Sequence, residues 1–284
     1  FREHFERPIV RDEDKDAQIR LKKMVEPFIL RRTKQEVLEE LPDKIENNIK
    51  IAFNKEEENL YIANLSQINS ELKTALDVER IDKIQILAMM TRLRQICCDA
   101  RILYNEIIGP SSKMKACLDI IKKAKENNQK VLLFSSFTSS LDLLEKELRK
   151  EDISYYVLTG ATNKIKRHQL VNAFQNDNTD VFLISLKAGG TGLNLTAASI
   201  VIHFDPWWNM SAQNQATDRA YRIGQTNNVQ VYKLIMKNSI EEKIQELQAQ
   251  KQDLSNIFIE NNDGSITKMS TADIISLFSI DQEG

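Results

Sequence analysis

Two arginines, Arg219 and Arg222, stand three positions apart in QATDRAYRIGQ (215–225), and Gln215 precedes the first by four. The stretch MSAQNQATDRAYRIG reads as one helix over 210–224, and these spacings put all three side chains on one of its faces. Ala212, Ala216 and Ala220 keep that helix slim. A guanidinium is a rigid fork of donors that matches phosphate oxygens, so this face could gather an oxyanion. Asp218 supports the competing account, a solvated face with partly offset charge. Position favours the anion, because the helix follows directly on a strand end.

Just upstream lies SLKAGGTGLNLTAASIVIHFDPWWN (185–209). Gly189, Gly190 and Gly192 allow close backbone approach and positive φ. Successive free N–H groups form an anion nest, to which Lys187 adds a charge. No Gly-Lys-Ser/Thr follows and the spacing is not G-x-G-x-x-G, so nucleotide binding by this loop alone is poorly supported. An anion nest and a plain strand-to-helix connection both fit the loop. Trp207 and Trp208 follow Asp205-Pro206; packing is the ordinary use of such a pair. One ring could stack on a base, worth about 1–3 kcal/mol.

Other chemistries find little support. His4, His168 and His203 have no ligand-spaced partner and read as structural. DEDKD (12–16) follows no apolar strand and reads as a solvated turn, so no metal site is expected. No Ser-His-Asp order or G-x-S-x-G elbow occurs. Cys97, Cys98 and Cys117 form no C-x-x-C, so a disulfide framework is not expected and a reduced, cytosolic chain is.

A net charge of −2 over 284 residues gives no global basic field, so any nucleic-acid contact must use a local patch. No apolar run reaches the roughly 18–20 residues of a membrane span, and no membrane partner is expected. The apolar fraction, 42%, suits sizeable cores, and at about 150 residues per domain the length suggests two. The chain opens at Phe1 without an initiator Met or signal pattern, and is expected to be a piece of something longer.

The elements that must position these residues follow from periodicity. Helices are expected over 27–41, over 54–76 with Asn54 as N-cap, and over 82–104, whose Met and Cys residues read as packing. GPSSK (109–113) is a break. Strands at 130–137, 154–160, 180–185, 199–205 and 229–235 then alternate with helices at 139–150, 163–175 and 210–224, which implies a mainly parallel sheet. Ligands gather at the carboxyl ends of such strands: Ser135–Ser136, Thr159–Gly160, the glycine loop, and Asp205 through Trp208. A long helix over 239–258, with Ser239 and Glu242 at capping-box spacing, and a short one over 271–278 finish the chain.

LLFSSF, LTGATNKIKRHQLVNAFQ, SLKAGGTGLNLTAASIVIHFDPWWN and QATDRAYRIGQ, in that order, resemble the C-terminal helicase lobe of the Swi/Snf family, ATP-dependent double-stranded DNA translocases of helicase superfamily two. DRAYRIGQ is close to a signature by itself. PFILRRTKQEVLEELPDK resembles the segment leaving the family's first lobe, and SIEEKIQEL its brace helix. Residues 50–108 are the weakest part and would correspond to the helical protrusion.

The resemblance implies an α/β, RecA-like (P-loop NTPase-type) fold, mainly a parallel sheet flanked by helices, with an N-terminal helical insertion. It divides the chain into 1–45 (leaving the first lobe), 46–108 (protrusion), 109–238 (C-terminal lobe) and 239–284 (brace and last helix). It makes Arg219 and Arg222 paired arginine fingers, with Gln215, Asp218, Gly190 and Gly192 near the nucleotide. Lys187, Gly189 and Asn194 would touch DNA, as would Trp208. Ser135, Ser136, Thr159 and Gly160 would grip phosphates. ATP and Mg2+ would be held mainly by an upstream lobe carrying the Walker A lysine and Walker B acids.

The implied partners are double-stranded DNA, that lobe and a DNA-bound protein target. The implied location is the cytoplasm of a prokaryote, at the nucleoid, or the nucleus if the source is eukaryotic. The chain departs from the family at Met210 (usually Pro), Tyr221 (often His) and Asp99 (often His). A catalytically silent DNA-binding or adaptor module is the alternative. An RNA helicase lobe is disfavoured, since those commonly carry H-R-x-G-R.

Overall fold

The computed structural model describes residues 2–11, 14–25, 41–77, 83–189, 192–207, 210–250 and 278. Phe1–Leu41 and Pro42–Gly284 form two units. The first contains a π-helical turn (Arg2–Glu6), α1 (Arg7–Arg11) and α2 (Lys15–Val25). Asp14 accepts the N–H groups of Asp16 and Ala17 at 2.8 and 3.0 Å, so this acid of DEDKD caps a helix. The helix expected over 27–41 lies, apart from Leu41, outside the described residues.

The second unit is built on six parallel strands: β1 (Lys44–Ile51), β2 (Lys130–Ser135), β3 (Tyr155–Leu158), β4 (Val181–Ser185), β5 (Ala198–His203) and β6 (Val229–Met236). Their order is β1-β6-β5-β2-β4-β3. The central strands are apolar throughout because both faces are covered. Val131 and Leu133 of β2, Leu183 of β4 and Ile202 of β5 point to one core, with α5 (Ser112–Glu126) and α6 (Thr138–Lys150). Leu132 and Phe134, Phe182 and Val201 point to the other, with α7 (Lys164–Asn176). Each such side chain, once fully buried, contributes roughly 1.5–3 kcal/mol.

The parallel, doubly covered sheet matches the expected RecA-like class. Two elements of the sheet layer have no counterpart among the expected ones. KIENNIKI was not read as a strand; it is edge strand β1, paired with β6 in register from Lys44↔Val229 to Ile51↔Met236. The 45/46 boundary therefore runs through a strand. Helix α5, capped by Ser111 through the Met114 N–H, was also not read.

Beside the sheet, α3 (Lys55–Asp77) and α4 (Lys83–Cys98) form a hairpin that packs on α10 (Ile240–Gln250) through Tyr61, Leu65, Met90, Leu93, Ile240 and Ile244. Asn54 accepts from the N–H groups of Glu56 and Glu57, and Glu57 accepts from the Asn54 N–H, so a reciprocal box starts α3 where expected. The box at α10 is shifted: the Ser239 hydroxyl accepts the Glu241 N–H, and Glu242 reaches back to the Asn238 N–H instead of that of Ser239. Phe278, fully buried, joins the same cluster and is the one described residue of the last expected helix.

The fully buried Lys113 of α5 meets both oxygens of the equally buried Glu241 at 2.6 Å, fixing α10 to the sheet-covering layer. Burial pulls the lysine's pKa down, but the net direction is upward, with the Glu241 carboxylate the foremost of the opposing causes. Asp99 accepts from the N–H and guanidinium of Arg101 and from the Ser111 N–H, a structural job for this departure from the family pattern.

Candidate functional site

After β2 the chain crosses to β3 on one side of the sheet; after β5 it turns to β6 on the other. The gap between the carboxyl ends of β2 and β5 is thus the topological switch point, where open α/β sheets hold ligands. Ser135, Ser136 and Asp205 meet there. The wholly buried Asp205 accepts from the Ser135 hydroxyl at 2.6 Å, the Ser136 N–H at 3.0 Å and the Ser136 hydroxyl. Ser135 is also wholly buried, so of the two serines only the half-buried Ser136 lies at the rim.

Beyond β4, the loop opens as a one-turn helix, α8 (Leu186–Gly189), with Lys187 exposed on it. Gly189 is therefore helical, while Gly192 has φ +32° and takes the left-handed region the sequence suggested. Gly190 lies outside the described residues. Leu193 and Leu195 anchor in the core and leave Asn194 exposed between them. Arg167 of α7 donates to the Ala188 carbonyl at 3.3 Å, steadying α8 from outside. At the end of β3, Thr159 is half-buried and Gly160 exposed; the Thr159 N–H donates to the Thr162 hydroxyl at 3.1 Å.

The single helix expected over 210–224 is a correction: α9 (Met210–Thr217) ends seven residues earlier. Gln215, exposed, is on it; Asp218, Arg219 and Arg222 are in the turns that follow, so the three site residues do not share one helical face. The physical reason is competition for the backbone. Arg219 and Ala220 make tight i→i−3 bonds to Ala216 and Thr217, and the Arg219 carbonyl accepts the Leu195 N–H at 3.0 Å. Gly224, at φ +97°, turns the chain back toward β6. The Gln225 amide then donates to the carbonyls of Thr196, Ala198 and Ala220.

Arg219 is 7% exposed and Arg222 is exposed. Burial, and next the charge of Arg222, pull the Arg219 guanidinium below its ordinary pKa, with Asp218 offsetting only part. A guanidinium in that field gains from an added anion, which fits a phosphate ligand. His203 of β5 holds the end of α9 from below, its Nε2 within 2.9 Å of the Thr217 hydroxyl. Burial and then the Lys233 charge lower its pKa from 6.5 to about 3, so it is a neutral, structural histidine.

Trp207 is half-buried against the core; Trp208 lies outside the described residues. Among the described residues no group of three or more His, Cys, Asp or Glu could hold a metal ion, and no helix is long and apolar enough to cross a membrane. Arg94 has no signal in the sequence; Arg167 and Gln225 lie inside the quoted motifs without a role there, and Asp205 is named only as a strand end.

Residues 1–102 match the family described as SNF2-related domain, and residues 112–224 the helicase conserved C-terminal domain. The chain is 40% identical over 253 residues to an uncharacterized ATP-dependent helicase of Mycoplasma pneumoniae, covering 89% of this chain and 24% of that one. It thus spans about a quarter of the length of the first curated relatives it matches. The Sulfolobus solfataricus SWI2/SNF2 ATPase core in complex with dsDNA superposes with a TM-score of 0.69 at 34% identity, covering 99% of this chain and 60% of that one. The C-terminal domain of the Sulfolobus solfataricus ATPase gives 0.65 at 28% identity, covering 84% and 99%.

Proposed function

Since this chain is a C-terminal lobe of a helicase of the Swi2/Snf2 family, in superfamily two, we propose that it is the second motor lobe of an ATP-dependent double-stranded DNA translocase. In this reading Arg219 and Arg222 complete, from across a cleft, an ATP site whose Mg2+ and phosphates are held mainly by an upstream lobe. Charge develops on the transferring phosphoryl group, and an arginine finger there contributes about 10³–10⁵-fold in rate. Gln215, Asp218, Gly190 and Gly192 border the nucleotide. Ser136, Thr159, Gly160, Lys187, Gly189, Asn194 and Trp208 face DNA, and Ser135 acts from beneath through Asp205.

The observation that carries this reading is the direct backbone bond from Leu195, at the end of the glycine loop, to Arg219. It gives a DNA-facing loop and a phosphate-facing arginine one shared anchor. Loss of the γ-phosphate would release the arginine, and the loop would register it.

The experiment is ATP turnover with and without duplex DNA, by residues 1–284 alone and by the full-length protein. The segment alone is expected to be inactive and the full-length protein DNA-stimulated. Robust turnover by the segment alone would contradict the split site. A silent module would show DNA binding with no turnover in either form.

A further inference from the structure

The helical hairpin α3–α4 has no role in the account so far, yet one of its side chains reaches the switch point. Arg94 of α4 is 3% exposed. Its Nη2 donates to the Asp205 carboxylate at 2.9 Å, to the Ser136 hydroxyl at 3.0 Å and to the Pro206 carbonyl at 3.0 Å. The guanidinium lies 5.0 Å from the Phe137 ring centroid and 5.9 Å from that of Trp207. One side chain from outside the sheet thus holds the residues that follow two adjacent strands.

We propose that Arg94 is a positioning residue for the DNA grip: it sets Ser136 and the turn after β5, and makes the α3–α4 hairpin a lever on both. Charge-assisted bonds in a buried setting are the strong ones, and three acceptors around Nη2, with the planar guanidinium beside two rings, fix angle as well as distance. Asp205 is the hub, since it also receives the Ser135 hydroxyl and the Ser136 N–H. The two helices are tied into one body, because Arg92 Nε of α4 donates to Asn64 Oδ1 of α3 at 2.9 Å beside their shared apolar seam. A shift of that body, by whatever touches it, reaches Ser136 through Arg94. Ser136 is the half-buried member at the rim, so the displacement arrives where a phosphate would be met. The inference rests on the translocase reading for the identity of that ligand.

The test uses the full-length protein and a double-stranded oligonucleotide, with Arg94→Lys, Ser136→Ala and the double variant. Lysine keeps the charge and loses the fork. Arg94→Lys should raise the duplex concentration giving half-maximal ATP turnover about tenfold. Its KM for ATP should stay within about twofold, a split that general loosening of the fold would not give. Because Arg94 acts through Ser136, the double variant should be no worse than the more affected single one.

A half-stimulating concentration unchanged by Arg94→Lys, or full multiplication of the two effects, overturns the inference. Should Arg94→Lys fail to fold by circular dichroism, Arg94→Gln, which keeps an amide donor for Asp205 and Ser136, takes its place: a rise that Ser136→Ala does not add to supports the inference, and no change overturns it. Absence of duplex stimulation in the wild type would instead sink the translocase reading, and the two failures are thereby told apart.

Discussion

The backbone N–H of Leu195 donates to the backbone carbonyl of Arg219 at 3.0 Å. This bond joins the end of the glycine loop to the turn that carries both candidate arginine fingers, and it occupies the carbonyl that a continuing helix would offer to the Ile223 N–H. A carbonyl that accepts from another segment, within a tight turn, is lost to the regular ladder. Arg219 therefore sits in a fixed turn, pinned by Leu195 above and by His203 and Thr217 below.

The turn depends on Gly224, whose φ of +97° suits glycine alone. Gly224→Ala should cost about 1 kcal/mol of stability and slow ATP turnover in the full-length protein. Gly160 has no positive φ and open space where a Cβ would go, so Gly160→Ala should leave the urea midpoint unchanged. Equal effects of the two substitutions on that midpoint would refute the conformational argument.

His203 predicts a pH dependence of stability. Its pKa is 6.5 unfolded and about 3 folded, so between those values the unfolded chain binds the extra proton. Stability therefore rises with pH across that window, and is lost as pH falls from about 6.5 toward 3. The contribution is at most about 1.4 kcal/mol per pH unit. His203→Gln keeps a partner for Thr217 and removes the titration. Urea titrations between pH 7 and 5 should show a shallower loss for the variant; parallel slopes would rule the histidine out.

The buried pair Lys113–Glu241 should behave as a unit. Lys113→Met leaves a buried carboxylate alone and should cost about 3–5 kcal/mol, most of which Lys113→Met with Glu241→Leu should recover. Chemical denaturation of the three proteins checks this; additive losses would mean that the two side chains contribute independently.

Lys187 stands exposed on α8. If it meets a DNA phosphate, Lys187→Ala weakens duplex binding about equally for all sequences and lowers the slope of log K against log salt by about one. A salt series on two unrelated duplexes measures it, and an unchanged slope removes Lys187 from the interface.

Much of this was legible from local pattern. β2, β4 and β5 are apolar runs, and Asn54, Asn163 and the residues around Ser239 mark helix starts. Gly192 announces its own backbone. What escaped was set by distant partners. KIENNIKI has five polar side chains in eight because, as an edge strand, it is only partly covered; its pairing is dictated by β6, some 185 residues on. The turns after Thr217 are held by Leu195 and Gln225, which local pattern does not reveal, while Ala220 by itself favours a continuing helix. Asp205 reads in sequence as one residue of FDPWWN. Only the fold brings Ser135, Ser136 and Arg94 around it.

The central claim is that Arg219 completes an ATP site held by a neighbouring lobe. It is tested most directly by single-turnover hydrolysis and nucleotide binding in the full-length protein carrying Arg219→Ala. The account predicts DNA-stimulated hydrolysis slowed by about 10³-fold or more, with ATP affinity within about tenfold of wild type. Hydrolysis at the wild-type rate would contradict it.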